Sequence, residues 1–343
     1  MAGPKRHHFV PRAFLERFGC DGKVAVRWRT RSKLVVTSAL NVAVESGFYT
    51  TETPDGGHST EVEEWLAGID GPADAAIKAV IEGEAPPRVG SAEREILAVY
   101  MAIQANRTPE TRERLRFPVE VIKYAGARAI DTALVAEYLE KVHLGFSASA
   151  GEVRGALTMI QVSQQMGHLT RNEEVTLPMR SVDKSMSALL NRHWSLEIAR
   201  KPRLLTSDAP LVMWSKPTPA SRYRGIGLTN AEEIRFPIGA GHQLVLGNQP
   251  RPPSIRIEPD RVRRCNDDVA AGCHKFIVGH PRRPKQMHEI QLAAKRPTIR
   301  FNEAPGYRTG LDGEDEFIGD ILHYWIQRAA PAAPRGRQRH HRQ

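Results

Sequence analysis

Hydrophobic spacing divides the chain into three stretches. Near the N-terminus Phe14, Leu15 and Phe18 fall on one face of a short helix over 11–18. Pro11 suits the start of that helix, where a missing N–H costs nothing, and Gly19 suits a left-handed stop. The runs Val24-Ala25-Val26-Arg27-Trp28 and Leu34-Val35-Val36 alternate and are β-branched, which predicts a hairpin. From about 60 to 192 the period becomes helical, with helices over 60–82, 91–106, 110–129, 131–142, 152–169 and 181–191. Pro86-Pro87 separates the first two. From 193 to 302 strand signals dominate: Trp194–Ile198, Arg203–Thr206, Ile234–Ile238, Gln243–Leu246 and Lys275–Val278. A closing helix over 314–328 would put Phe317, Ile321, Leu322 and Trp325 on one side. Hairpin, helical block and sheet block in that order predict an α+β fold with a mostly antiparallel C-terminal sheet. The expected units are an N-terminal segment 1–58 docked on the C-terminal sheet, a helical block 59–192, a β-rich block 193–328 and a disordered basic tail 329–343.

Composition narrows the class. Of 343 residues 41% are hydrophobic, enough for a sizeable core, so wholesale disorder is excluded. No stretch approaches the roughly 18 apolar residues of a membrane span, and the N-terminus lacks the apolar segment of a secretory signal. Three cysteines do not suggest a disulfide framework. These features suit a cytoplasmic protein with no membrane partner. The net charge of +10 suggests an anionic partner, with nucleic acid first. Four of those charges belong to tail residues Arg335, Arg337, Arg339 and Arg342; taking the four from +10 leaves +6 for the body.

Several segments, taken in order, carry a resemblance. They are His7-His8-Phe9-Val10-Pro11 followed by Phe14-Leu15 and Phe18, then Gly47-Phe48-Tyr49-Thr50, then Gln104-Ala105-Asn106-Arg107-Thr108-Pro109. Trp194, Thr206-Ser207-Asp208-Ala209-Pro210, Phe236-Pro237-Ile238, Cys265-Asn266 and Phe276-Ile277-Val278 complete the set. Together, over about residues 5–280, they resemble the bacterial family catalogued as domain of unknown function 4238. The resemblance brings no established reaction. Its usual residue after the aspartate is often asparagine, where this chain has Ala209.

The candidate chemistry lies in these motifs. On a helical wheel Arg107 falls about 20° from Ile96 and Gln104 about 20° from Leu97, so the core-facing stripe ends in an amide and a guanidinium. A buried guanidinium needs a carboxylate or an anionic ligand, so Arg107 and Gln104 read either as an anion site or as an ion pair, with Glu61 and Glu64 as possible partners. His8, before a helix start, reads as a base, a metal ligand or a backbone-bonded residue, and His7 as a weaker candidate. Asp208 at a strand end reads as a catalytic or metal-binding carboxylate or as a turn cap, with Ser207 and Asn266 supporting. Asn266-Asp267-Asp268 also reads as a helix start before Val269. Cys265, Cys273, His274 and His280 lack the spacing of a zinc knuckle. One reading is therefore a metal-assisted phosphodiester or nucleotide hydrolase, with Asp208 and His8 catalytic or on a divalent ion and Arg107 holding phosphate. The other is a noncatalytic protein that binds nucleic acid or another partner, with the same polar residues structural; the expected partners are nucleic acid or a phosphate-bearing small molecule.

Overall fold

The computed structural model describes residues 6–31, 33–165, 167, 170–216, 226–293, 295–309 and 315–328. The basic tail expected over 329–343 lies outside the described residues. The N-terminal part runs β1 (Arg6–His8), α1 (Arg12–Glu16), β2 (Lys23–Trp28), β3 (Leu34–Ser38), β4 (Val44–Ser46), β5 (Thr51–Glu52) and β6 (His58–Ser59). β1 pairs antiparallel with β4, and β2 with β3 as the alternation predicts. Pro11 is the N-cap of α1. Gly19 does not take a left-handed conformation; that backbone falls to Asp21 (φ 53°) and Gly22 (φ 66°). Glycine is needed at 19 because a Cβ there would drive into the Lys23 carbonyl, against which the turn folds back.

The helical block holds α2 (Glu61–Gly83), α3 (Ala92–Asn106), α4 (Pro109–Ala125), α5 (Thr132–Tyr138), α6 (Ala150–Gln165), α7 (Arg171–Thr176) and α8 (Val182–Leu190). Helix α7 is not among the expected helices. It is held by a capping box, in which Thr170 and Glu173 satisfy each other's backbone N–H groups. Helix α3 buries Leu97, Tyr100, Met101 and Ile103, the stripe read from the sequence.

The C-terminal part runs β7 (His193–Ala199), β8 (Thr206–Ser207), β9 (Val212–Trp214), β10 (Glu233–Gly239), β11 (His242–Gly247), β12 (Ser254–Ile257), α9 (Pro259–Gly272), β13 (Phe276–Gly279), α10 (Pro284–Glu289), β14 (Thr298–Thr309) and β15 (Asp315–Gln327). One sheet has the order β12-β7-β11-β10-β9, antiparallel except where β12 joins β7. A second has the order β3-β2-β13-β8, so the N-terminal hairpin shares a sheet with C-terminal strands. The fold is α+β. The closing helix is corrected: 315–327 is a strand paired with β14 from Thr298↔Gln327 to Thr309↔Asp315. The four-residue spacing of Phe317, Ile321 and Trp325 is even, a pattern that suits a strand as readily as a helix, although an irregularity at Gly306/Tyr307 shifts the register between Phe317 and Ile321. Nor does a helix start at Asn266-Asp267-Asp268. Helix α9 begins at Pro259, and these three residues lie inside it.

One core joins all three sequence regions. Phe14 of α1 stacks on Phe236 of β10 with ring centroids 5.3 Å apart, and Tyr100 of α3 packs against both. A second cluster sets Phe117 of α4 and Tyr138 of α5 against Ile299 and Phe301 of β14.

Candidate functional site

The segment Gln104–Pro109 is a helix-to-helix junction, and each residue type has a local reason. Arg107 ends α3, Thr108 caps α4 by accepting from the Thr111 N–H (3.2 Å), and Pro109 occupies the first helical position. The Arg107 side chain turns into the core and is 1% exposed. Its Nη2 donates to Asp70 Oδ1 of α2 at 3.0 Å. With the Gln104 amide oriented so that its oxygen faces the guanidinium, that oxygen also accepts from Arg107 Nε at 3.0 Å and from the Tyr100 hydroxyl at 3.3 Å. Burial works against the charge, but Tyr49 and Asp70 outweigh it and hold Arg107 above the usual guanidinium range. Asp70, rather than Glu61 or Glu64, supplies the carboxylate.

The strand period decides which N-terminal histidine reaches this cluster. His7 is buried; its Nδ1 accepts from the Tyr49 N–H at 2.9 Å and its Nε2 lies 3.3 Å from Glu63. His8 points to the other face, beside the backbone of Leu40 and Ala39, where burial lowers its pKa. Its Nε2 has no hydrogen-bond partner among the described residues.

Asp208 is fully buried in the turn after β8. Its Oδ1 accepts from the His274 N–H at 2.8 Å and its Oδ2 from the Lys275 N–H at 2.5 Å. Burial pushes its carboxyl up, and those two N–H groups oppose the shift. Ser207 closes its own turn, accepting from the Ala209 N–H at 3.1 Å and donating to the Ala209 carbonyl at 2.9 Å. Asn266, on α9, accepts from the Leu205 N–H (2.9 Å) and donates to the Arg203 carbonyl (2.8 Å), fastening the chain that enters β8. His8, Arg107 and Asp208 share no hydrogen-bond partner among the described residues. Nor do any three described His, Cys, Asp or Glu side chains form a group able to hold a metal ion.

Two features escaped the sequence reading. The first is an ionic lattice on the five-stranded sheet. Glu197, 1% exposed, takes Arg251 and Arg261, each at 2.9 Å, while Glu233 takes Arg261 at 2.8 Å and Arg235 at 2.7 Å. Arg235 then reaches Asp268 at 2.5 Å. The signal was a charged residue inside the apolar run 194–198. The second is a cavity of about 590 Å³ between the start of α4, β9 and the end of β15, with Glu110 in its wall. Burial pushes the Glu110 carboxyl up to about 7, moderated by His274, Arg114 and Arg328. A carboxyl raised in the folded state contributes stability that is fully present below its ordinary value of 4.5 and lost as pH climbs through 7. Glu110→Gln, which never charges, is therefore expected to match the wild type near pH 4. At pH 8 it should exceed it by about 1–3 kcal/mol in urea denaturation. An equal difference at both values would refute this.

The fold and these contacts define an α+β protein whose motif residues clasp chain segments together. The chain belongs to the family described as Protein of unknown function (DUF4238), whose model matches residues 6–283. No curated protein and no solved structure compared with the chain matches it. Among the described residues no helix is long and apolar enough to cross a membrane.

Proposed function

We propose that this protein is a cytoplasmic, noncatalytic binding protein for nucleic acid, in which the polar motif residues hold the fold together. The observation that carries this reading is the engagement of Asp208, whose two oxygens are both taken by backbone N–H groups, with no lone carboxylate edge turned toward solvent. Arg107, held through Nη2 by Asp70 and through Nε by Gln104, with Nη1 buried and without a hydrogen-bond partner among the described residues, adds to it. A metal-assisted phosphodiester or nucleotide hydrolase would instead set Asp208 and His8 on a divalent ion with Arg107 on the phosphate, all facing one substrate. The three free cysteines suit a reducing compartment. The +10 charge supplies the attraction to phosphates, through surface arginines rather than the buried ones.

The test compares wild type with His8→Ala, Arg107→Met and Asp208→Asn. Hydrolysis of oligonucleotides and nucleotides is assayed with Mg²⁺ and Mn²⁺, and oligonucleotide binding is measured across salt concentrations. The expected result is no hydrolysis by any form, with wild-type affinity falling linearly in the logarithm of salt concentration. Metal-dependent hydrolysis by the wild type that disappears in Asp208→Asn would restore the enzyme reading. Absent or salt-insensitive binding would remove nucleic acid as the partner.

A further inference from the structure

The cavity beside α4 is lined by Asn106 and Ala209 from the motif segments but not by His8, Arg107 or Asp208, and its chemistry differs from theirs. Glu110 and Arg114 lie one turn apart on α4 and both line it. Neither makes a hydrogen bond or ion pair among the described residues. Arg114 only lays its guanidinium over the Tyr324 ring, 5.5 Å from the centroid. Arg328 enters from the opposite side and donates to the Met213 carbonyl. Leu211, Met213 and Trp325 supply apolar wall. Elsewhere several partly buried arginines of this chain hold carboxylates, Arg17 with Asp74, Arg112 with Glu45 and Arg261 with Glu197 and Glu233, while Arg27, Arg94 and Arg192 are met by backbone carbonyls; Arg114 has neither among the described residues. A guanidinium half out of water gains from an anion, and Arg114 has none beyond the weakly charged Glu110 one turn away.

From this arrangement we infer that the cavity binds a small organic anion, a carboxylate or phosphomonoester on a flat apolar body, with its head on Arg114 and Arg328 and its body against Leu211, Met213 and Trp325. A volume of about 590 Å³ lies within the range of small-molecule sites. Glu110 then sets the pH dependence. The charged groups facing it are His274, Arg114, Arg328 and Asp208. Protonated, Glu110 donates a hydrogen bond to the anionic head; ionised, it repels that head. Binding therefore takes up a proton above the Glu110 pKa.

The probes are indole-3-acetate and adenosine 5′-monophosphate, with tryptophol and adenosine as uncharged counterparts, titrated calorimetrically into the full-length protein. At least one anion is expected to bind, and its uncharged counterpart at least about tenfold more weakly. Which anion binds separates carboxylate from phosphomonoester. Arg114→Gln should lose at least about tenfold in affinity. Above pH 7 wild-type affinity should fall by about tenfold per unit, whereas Glu110→Gln should show no such fall. Ala209→Leu, which fills the cavity from a position making only backbone bonds, guards against misfolding of the Arg114 variant and should abolish binding with the melting temperature kept. Binding by neither anion, equal binding of charged and uncharged probes, or unchanged affinity in Arg114→Gln would each overturn the inference. None of these outcomes bears on the structural reading of His8, Arg107 and Asp208.

Discussion

Asp208→Ala is expected to cost the fold on the order of 2–6 kcal/mol, measured by denaturant unfolding near neutral pH. The figure comes from two buried backbone donors, the N–H groups of His274 and Lys275, which lose their acceptors together at about 1–3 kcal/mol each. No water replaces them easily, because the carboxylate is fully buried. The damage should spread along the chain that follows. His274 is bonded through Nε2 to Glu113 of α4 at 2.6 Å, and Lys275 leads into β13, which lies between β2 and β8. Asp208→Asn is the informative control. Its amide keeps one oxygen acceptor but turns an NH₂ toward the second N–H, so about half the loss should remain. A turn cap predicts this order, alanine worse than asparagine, with wild type far above both. A catalytic carboxylate predicts nearly unchanged stability in both variants, and a change below about 1 kcal/mol for Asp208→Ala would sink the structural account.

The elements were legible where a single period persisted. Helix α3 was expected over 91–106 and runs Ala92–Asn106, because its apolar stripe is continuous and Ser91 caps it through the Arg94 N–H at 3.3 Å. Strands β10 and β11 were equally plain, since Ile234–Ile238 and Gln243–Leu246 are short runs rich in apolar residues, nearly all of them buried. The end of the chain failed because an even apolar spacing does not choose between helix and strand; the cross-strand bonds to β14 chose. Helix α7 failed because six residues carry too little periodicity, and only its capping box announces it.

The candidate site was legible in residue identity but not in partnership. Sequence placed Arg107 on the core face correctly, yet its carboxylate comes from residue 70, on a helix whose rotation the sequence does not fix. Choosing His8 over His7 ignored strand alternation, which turns His7 inward onto Tyr49. Glu110 carried no signal beyond an acidic residue in a helix's first turn, where the dipole explains it without any cavity. The cavity forms only when β9 and the end of β15, some hundred residues apart, close over that turn.

The clasp at Arg107 makes an asymmetric expectation. The guanidinium side is 1% exposed, while Asp70 is 28% exposed and can turn to water when left alone. Losing the carboxylate therefore strands a charge, whereas losing the arginine strands little. Asp70→Ala is expected to cost about 3–5 kcal/mol, the range for leaving one charge of a buried pair uncompensated, and Arg107→Met less, about 2–3 kcal/mol. In Arg107→Met the apolar side chain fills the volume, and the remaining loss is chiefly the Gln104 amide, whose oxygen accepted from Nε at 3.0 Å. The double variant removes the stranded charge. It should be no less stable than Asp70→Ala, giving a coupling of at least about 2–3 kcal/mol in a double-mutant cycle. Chemical denaturation of the four proteins reads all three quantities. If Arg107 instead served a bound anion, Asp70→Ala would leave stability unchanged, the two losses would add, and anion addition would raise the melting temperature of wild type but not of Arg107→Met. Either the asymmetry or the coupling alone distinguishes the two cases, because a ligand-holding arginine has no reason to depend on a carboxylate from α2 for the integrity of the fold.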